Sequence, residues 1–218
     1  MRPEITLIRK LDADRRMSKR IFLDEHGTLR SDGSACRMVN GLATRAEAET
    51  AACLARLIAE CAPDQAIALG ALKEDLSSSV TITTDRRLES HPGAISRTRR
   101  FIDYRDGEPA WALIDFDVKG MPERVLAAIA ACGGMWEALL AVAPGLRRAA
   151  RVSRASTSAG LYRADTGERI AGSGGAHHYV MVKDGGDIER FLRDLHDRCW
   201  LQGLGWHLVS SAGQLLER

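Results

Sequence analysis

The sequence predicts an α+β protein: a split βαβ half of the RRM or ferredoxin-like kind, preceded by a smaller N-terminal α/β part. Three observations lead there. From Trp111 to Val209 the chain reads strand, helix, strand, strand, helix, strand, the order of a split βαβ motif. The helical stretches repeat apolar residues at a 3.6-residue spacing, whereas the strand stretches are short apolar runs bounded by turn residues. With 218 residues, 45% of them hydrophobic, the chain is long enough for one sizeable domain with a real core. The reading is one domain over 1–218, with 1–64 as the N-terminal α/β portion and 65–218 as the main part.

Taken in order, residues 20–42 read as a hairpin. Arg20-Ile-Phe-Leu23 is followed by a turn at Asp24-Glu-His-Gly27 and a second turn near Ser31-Asp-Gly33. Asp24 and Asp32 lack the oxygen spacing and closing Glu of a calcium loop, so they are plain turn residues. Thr44-Arg-Ala-Glu47 has the form of a capping box and predicts a helix from there to about Cys61, closed by Pro63. Gln65–Leu72 and Val80–Thr84 read as strands joined by a loop at Ser77–Ser79. A basic stretch, Ser96–Arg100, leads through a turn at Asp106-Gly107 to the strand beginning at Trp111. A helix then runs from Pro122 toward Val142, weakened at Gly133-Gly134 and ended by Pro144. Ala149–Thr157 is strand-like, and Leu161–Gly175 is a long hairpin loop with its tip at Asp165–Glu168. His177–Val182 is a strand. Asp187 caps a helix carrying Ile188, Phe191, Leu192, Leu195 and Cys199. Gly203 stops it, and Trp206–Val209 is the last strand.

Composition narrows the function. A formal net charge of +2 excludes a polycation, yet the arginines cluster, as in Arg86, Arg87, Arg97, Arg99 and Arg100 and again from Arg147 to Arg169. Such clusters suit phosphate, and they equally suit ordinary solvated surface. The five cysteines form no C-x-x-C pair, which argues against zinc and for a reducing compartment. No signal region or membrane-length run is visible, so a cytoplasmic location with no membrane partner is expected.

The chemistry centres on Trp-Ala-Leu-Ile-Asp-Phe-Asp-Val-Lys-Gly-Met-Pro, residues 111–122. On a strand, positions i and i+2 share a face, so Asp115 and Asp117 project together while Ile114, Phe116 and Val118 point into a core. Two carboxylates held that close repel unless a cation lies between them. Hard ions such as Mg²⁺ or Mn²⁺ take such oxygen ligands together with substrate phosphates. Asp-x-Asp is also what a solvated strand face near a turn shows. A second cluster is Gly174-Gly-Ala-His-His-Tyr-Val-Met-Val182. Here His177, Tyr179 and Met181 share one face, and His178, Val180 and Val182 share the core side. In an antiparallel pair with the Asp115 strand, His177 would lie beside the acids. His26, His91, His196 and His207 read as packed or surface residues.

Together Ile114-Asp-Phe-Asp117, the run Ser156-Thr-Ser-Ala-Gly160 and Gly175-Ala-His-His-Tyr-Val180 resemble the archaeo-eukaryotic primase superfamily, and more closely the primase-polymerase domains of phages, plasmids and integrated elements. Phe191–Trp206 resembles the segment that follows the histidine motif there. The likeness covers about 65–218, which would be the catalytic core. It implies a DNA primase or polymerase-type nucleotidyltransferase acting in DNA replication, with nucleoside triphosphates as substrates, a DNA template as partner, and a replicative helicase encoded in the same gene or operon. It also implies that Asp115 and Asp117 hold Mg²⁺ or Mn²⁺ and that His177 contacts the triphosphate. Ser156, Ser158, Arg154 and Lys119 would assist with the nucleotide, and Arg97, Arg99 and Arg100 with nucleic acid. Two departures stand out. Gly175 replaces the usual serine two before the histidine, with Ser173 further back, so that role has either moved to Ser156 or Ser158 across the hairpin or been lost. A third acidic motif is also expected, but the only acid between Trp206 and Arg218 is Glu217. The expectation is therefore a core cut before that motif, active or not. A non-catalytic replication module of the same fold, or an unrelated Asp-x-Asp metal enzyme, stays open.

Overall fold

A computed structural model of the chain describes residues 2–118, 120–170, 174–210 and 212–218. The architecture is mixed α+β, and it divides into two compact units, Met1–Ala112 with Met181–Gly186, and Leu113–Val180 with Asp187–Arg218. The first unit is larger than the 1–64 portion expected, because strands after residue 64 pair back into its sheet.

That sheet joins β1 (Glu4–Lys10), β4 (Gly41–Glu47), β5 (Gln65–Ala68) and β7 (Ser79–Ile82) in the order β5-β1-β4-β7, with each pairing antiparallel. The strand β1 is absent from the sequence reading. Ile5, Thr6, Ile8 and Lys10 are all buried, so the strand lacks the alternation that marks one wet face. The capping box at Thr44–Glu47 is a correction. Those four residues lie on β4 opposite Leu7, Thr6, Ile5 and Glu4, and Arg45 ion-pairs with Glu4 at 2.6 Å. Pairing on both edges outweighs a local cap signal. The helix α1 spans Ala51–Glu60, and its cap is Thr50, whose hydroxyl accepts from the Cys53 backbone N–H. The hairpin expected at 20–42 is present as β2 (Arg20–Leu23) and β3 (Leu29–Asp32), and β6 (Ala71–Leu72) pairs with β8 (Ile102–Asp103). The core of this unit gathers Ile8, Met38, Ala43, Leu72, Ile82 and Ile95. Trp111 is fully buried there, donating its indole N–H to Ala48 O at 2.7 Å.

The second unit holds most of β9 (Ala110–Phe116) and β11 (Ala176–Val182), together with β10 (Arg151–Ala155). Their order is β10-β11-β9, so β11 is inserted between the strands that flank the first helices, and β9 ends the sheet. The expected single helix over 122–142 is two, α2 (Glu123–Ala131) and α3 (Met135–Val142), bent by 78°. Gly133 and Gly134 sit between them at φ +94° and +111°, a region that side chains resist, and so the chain turns there. Asp187 takes the N-cap position of α4 (Ile188–Leu201), but its carboxylate binds the Arg190 guanidinium rather than a helix N–H. The expected last strand is one arm of a hairpin, β12 (His207–Val209) with β13 (Leu215–Glu217), which forms its own two-stranded sheet. Phe116 and Val118 pack on a cluster of Met121, Val125, Ile129, Ala138 and Trp206. Among the described residues no single helix is long and apolar enough to cross a membrane.

Candidate functional site

Alternation along β9 sorts its side chains as the sequence requires. Ile114 is buried and Phe116 and Val118 are half-buried, whereas Leu113, Asp115 and Asp117 are exposed. On β11 the same rule buries His178 and Val180 and leaves His177 and Tyr179 on the opposite face. The consequence is one specific meeting. Asp115 Oδ1 lies 3.3 Å from His177 Nε2, with the carboxylate side chain 61% exposed and the imidazole 29%. An N–H on Nε2 would donate to the carboxylate.

The pairing of β10 with β11 adds a cation. Arg154 stands directly opposite His177 in the antiparallel register, and directly opposed residues project to the same face. Tyr179 meets the His177 ring edge-on at a centroid distance of 6.4 Å. Just beyond β10, the Ser156 backbone N–H donates to Gly175 O at 2.9 Å, and Ser156 Oγ lies 3.5 Å from Ser158 Oγ. A Cβ on Gly175 would stand 2.8 Å from Phe116 O and 3.1 Å from Ser156 Oγ. Glycine at this position therefore allows the end of β9, the serine turn and the start of β11 to converge.

His178 shows the other environment on the same strand. Its Nδ1 lies 2.8 Å from Ser153 Oγ, its ring packs 5.4 Å from Trp136, and its Nε2 is buried without a partner. Burial first, then the charges of Arg151 and His177, hold its pKa below the ordinary histidine value. It is a packed neutral histidine.

The remaining assigned residues are scattered. Lys119 and Ser173 lie outside the described residues. Arg97, Arg99 and Arg100 are exposed in the first unit. Arg99 pairs with Asp103 at 3.3 Å, and the Arg100 guanidinium covers the Phe101 ring at 5.0 Å. Three residues to which the sequence reading gave no site role border the same space as the acids. A cavity of about 330 Å³ is walled by apolar side chains such as Phe116, Leu139 and Leu195, and its polar lining is Asp115, Asp117, His196 and Arg218, with Trp206 beside them. No local signal marks these three, since the chain brings them together only through α4 and the final hairpin.

Among the described residues no three His, Cys, Asp or Glu side chains converge as a closed metal cage requires. The donor set fits the open kind of site. There Mg²⁺ or Mn²⁺ takes one or two protein carboxylates and completes its shell with water and substrate phosphates. Compared with protein-family models, with curated proteins and with solved structures, the chain finds no match in any of the three.

Proposed function

We propose that the second unit is a metal-dependent nucleotidyltransferase centre of the primase-polymerase type, extending or starting a primer on a DNA template. The observation that carries this reading is the meeting of Asp115 with His177, from strands far apart in the chain, on the face that also bears Arg154. The strand order β10-β11-β9 supports a split βαβ half of an archaeo-eukaryotic-primase-like core. In this reaction a hydroxyl oxygen attacks the α-phosphorus of a nucleoside triphosphate, the bond to the β-phosphate breaks, and pyrophosphate leaves. Mg²⁺ or Mn²⁺, when bound, supplies charge neutralisation at the reacting phosphate and at the attacking and leaving oxygens. Asp115 and Asp117 would hold the ion. His177 donates to the triphosphate from beside Asp115. Arg154 adds a permanent positive charge, and the Ser156 and Ser158 hydroxyls line the turn at the same strand ends.

One observation favours a second reading, a nucleotide- or DNA-binding module of the same fold. Among the described residues, the acids that border the cavity are Asp115 and Asp117, with no third carboxylate. A primer-synthesis assay with labelled nucleotides and Mn²⁺ separates the two. The intact chain should incorporate nucleotide, and Asp115→Ala or Asp117→Ala should each lower the rate at least about 100-fold, the equivalent of about 2.7 kcal/mol. Asp115-dependent nucleotide binding without product would favour the binding module. Neither product nor binding would end both readings, and turnover of a phosphomonoester or sugar nucleotide instead would make this a different Asp-x-Asp enzyme.

A further inference from the structure

Of the arginines that follow α3, the proposed site uses Arg154 alone. From Ala138 to Ala164 the sequence holds five arginines and no Asp, Glu or Lys. Arg147 and Arg148 end the short 3₁₀ helix Pro144–Arg148, and Arg151 and Arg154 lie on β10. All four are exposed, and among the described residues none of them forms an ion pair. Arg163, by contrast, is neutralised by Asp165 at 3.0 Å, and in the first unit Asp103 engages Arg99. Like charges set this close together repel, and an anionic partner relieves that repulsion.

The row follows an open strand edge. β10 is an end strand of its sheet, so alternate backbone N–H and C=O groups point away from β11. Arg151 and Arg154 stand an odd number of residues apart and leave β10 on opposite faces, and the outer edge lies beside both. About 10 Å of strand separates them. Arg151 opposes Val180, and its guanidinium covers Trp136 at 3.8 Å, which fixes the cation while its N–H groups stay available to an anion. Arg154 opposes His177, so the row ends on the face where His177 meets Asp115. Beyond β10, Tyr162 is 67% exposed and bridges antiparallel to Arg169, whose side chain therefore projects beside the phenol ring. An exposed ring beside a guanidinium is a stacking platform for a flat base.

We propose that the outer edge of β10, from Arg147 to Arg154, holds a single strand of nucleic acid by its phosphates, with Tyr162 and Arg169 stacking one of its bases. The chemistry of the row selects this partner. Guanidinium forks match phosphate oxygens in pairs, and every base has a face that a phenol ring can cover. Neither contact reads base identity. Templated synthesis requires just that, since a template is held whatever its sequence. Identifying the strand as the template rests on the nucleotidyltransferase reading; the binding itself does not. Charged residues on an open edge also keep it from pairing with another chain, a role that needs no ligand.

Fluorescence anisotropy of the full chain with a labelled oligothymidylate of about 20 nucleotides, longer than the site of one small domain, tests this without metal or nucleotide. For a single strand, each neutralised phosphate adds about 0.7 to the slope of log affinity against log salt. Four contacts should therefore weaken binding about 50-fold between about 50 and 200 mM salt. Arg147→Gln with Arg148→Gln should lower affinity at least about fivefold and the slope by about 1.4, whereas Arg147→Lys with Arg148→Lys should keep the slope. Tyr162→Ala should lower affinity about fivefold or more and leave the slope unchanged. An intact chain that does not bind, or a slope indifferent to the double glutamine variant, overturns the proposal. Duplex DNA bound as tightly as the single strand, with Tyr162→Ala without effect, overturns it too. Phosphatidylserine vesicles held through the same arginines, with no oligothymidylate bound, would assign the row to a membrane surface instead. A double glutamine variant that self-associates with its oligothymidylate affinity intact would assign the row to guarding the strand edge; either result overturns the proposal. Oligothymidylate binding without nucleotide incorporation upholds the strand surface and sinks the nucleotidyltransferase reading. Incorporation that persists with no arginine-dependent DNA binding sinks the surface and leaves Asp115 and Asp117 their role.

Discussion

The two faces of the β10-β11-β9 sheet come from the same strands and differ in almost every physical respect. One face carries Asp115, His177 and Arg154, all charged or chargeable and in part exposed to water. The other carries Val180 and His178 under α3, where Trp136 lies against the His178 ring and Arg151 covers Trp136 at 3.8 Å. Adjacent residues His177 and His178 therefore share a name and a strand and little else. One meets a carboxylate in a polar setting; the other is held neutral in an apolar one. A strand's period of two is enough to separate a site from a core by a single residue.

The largest test of that separation is a charge placed on the buried face. Val180 has no exposed surface. Val180→Asp should cost on the order of 4 kcal/mol, because a carboxylate would be desolvated there and the cation directly opposite, Arg151, is held over Trp136 and would have to leave that ring to pair with it. Asp115→Ala, on the other face, should change stability by less than about 1 kcal/mol, since a contact between a largely exposed carboxylate and His177 contributes little. Urea midpoints of the two variants measure the contrast. Comparable losses would mean that the two faces are not distinct.

A middle-sized test lies where the two faces meet. The resemblance to primase-polymerases asks for a serine at position 175, so Gly175→Ser looks like a restoration. The geometry says otherwise: its Cβ would sit 2.8 Å from Phe116 O, a backbone atom that cannot swing aside. The substitution should cost about 1–3 kcal/mol by overpacking. It should also weaken Mn²⁺-nucleotide binding more than Asp-independent properties, because it pushes the end of β9 from the start of β11. Unchanged stability with improved nucleotide binding would show that the serine role belongs to 175 after all, and not to Ser156 across the turn.

What could be read in the chain follows the same physics. The strands β9 and β11 were legible because each has one wet face, so alternation is written plainly in Ile-Asp-Phe-Asp-Val and Ala-His-His-Tyr-Val. The meeting of Asp115 and His177 could be anticipated from that alternation. The strand β1 was not legible, because Ile5, Thr6, Ile8 and Lys10 are covered on both sides. Thr44–Glu47 satisfied a helix-cap pattern that strand pairing overrode, and the true cap, Thr50, makes its bond to a Cys53 amide that no side-chain motif marks. Gly133-Gly134 announced weakness but not the 78° turn. The cavity was invisible, because Trp206 and Arg218 become neighbours only when the last hairpin closes.

The smallest expected effect probes the buried face through pH. His178 has its pKa lowered by burial, then by the positive charge of Arg151 and by His177; the groups facing it are Ser153, Trp136 and Arg151, and His177 is its chain neighbour on the opposite face. The unfolded chain binds that proton more readily than the folded one. Stability is therefore fully present above about pH 6.5 and is lost as pH falls below it toward the lowered folded value. Urea midpoints at pH 7.5 and 5.5 should differ in the intact chain and differ less in His178→Leu, in which the titrating group is gone. Arg151→Ala should lose about 0.5–1 kcal/mol at both pH values with the cation over Trp136. Its pH dependence should be shallower than that of the intact chain but not flat, since removing the charge leaves the burial in place. An intact chain equally stable at the two pH values would mean that His178 is not the buried neutral partner of the exposed His177.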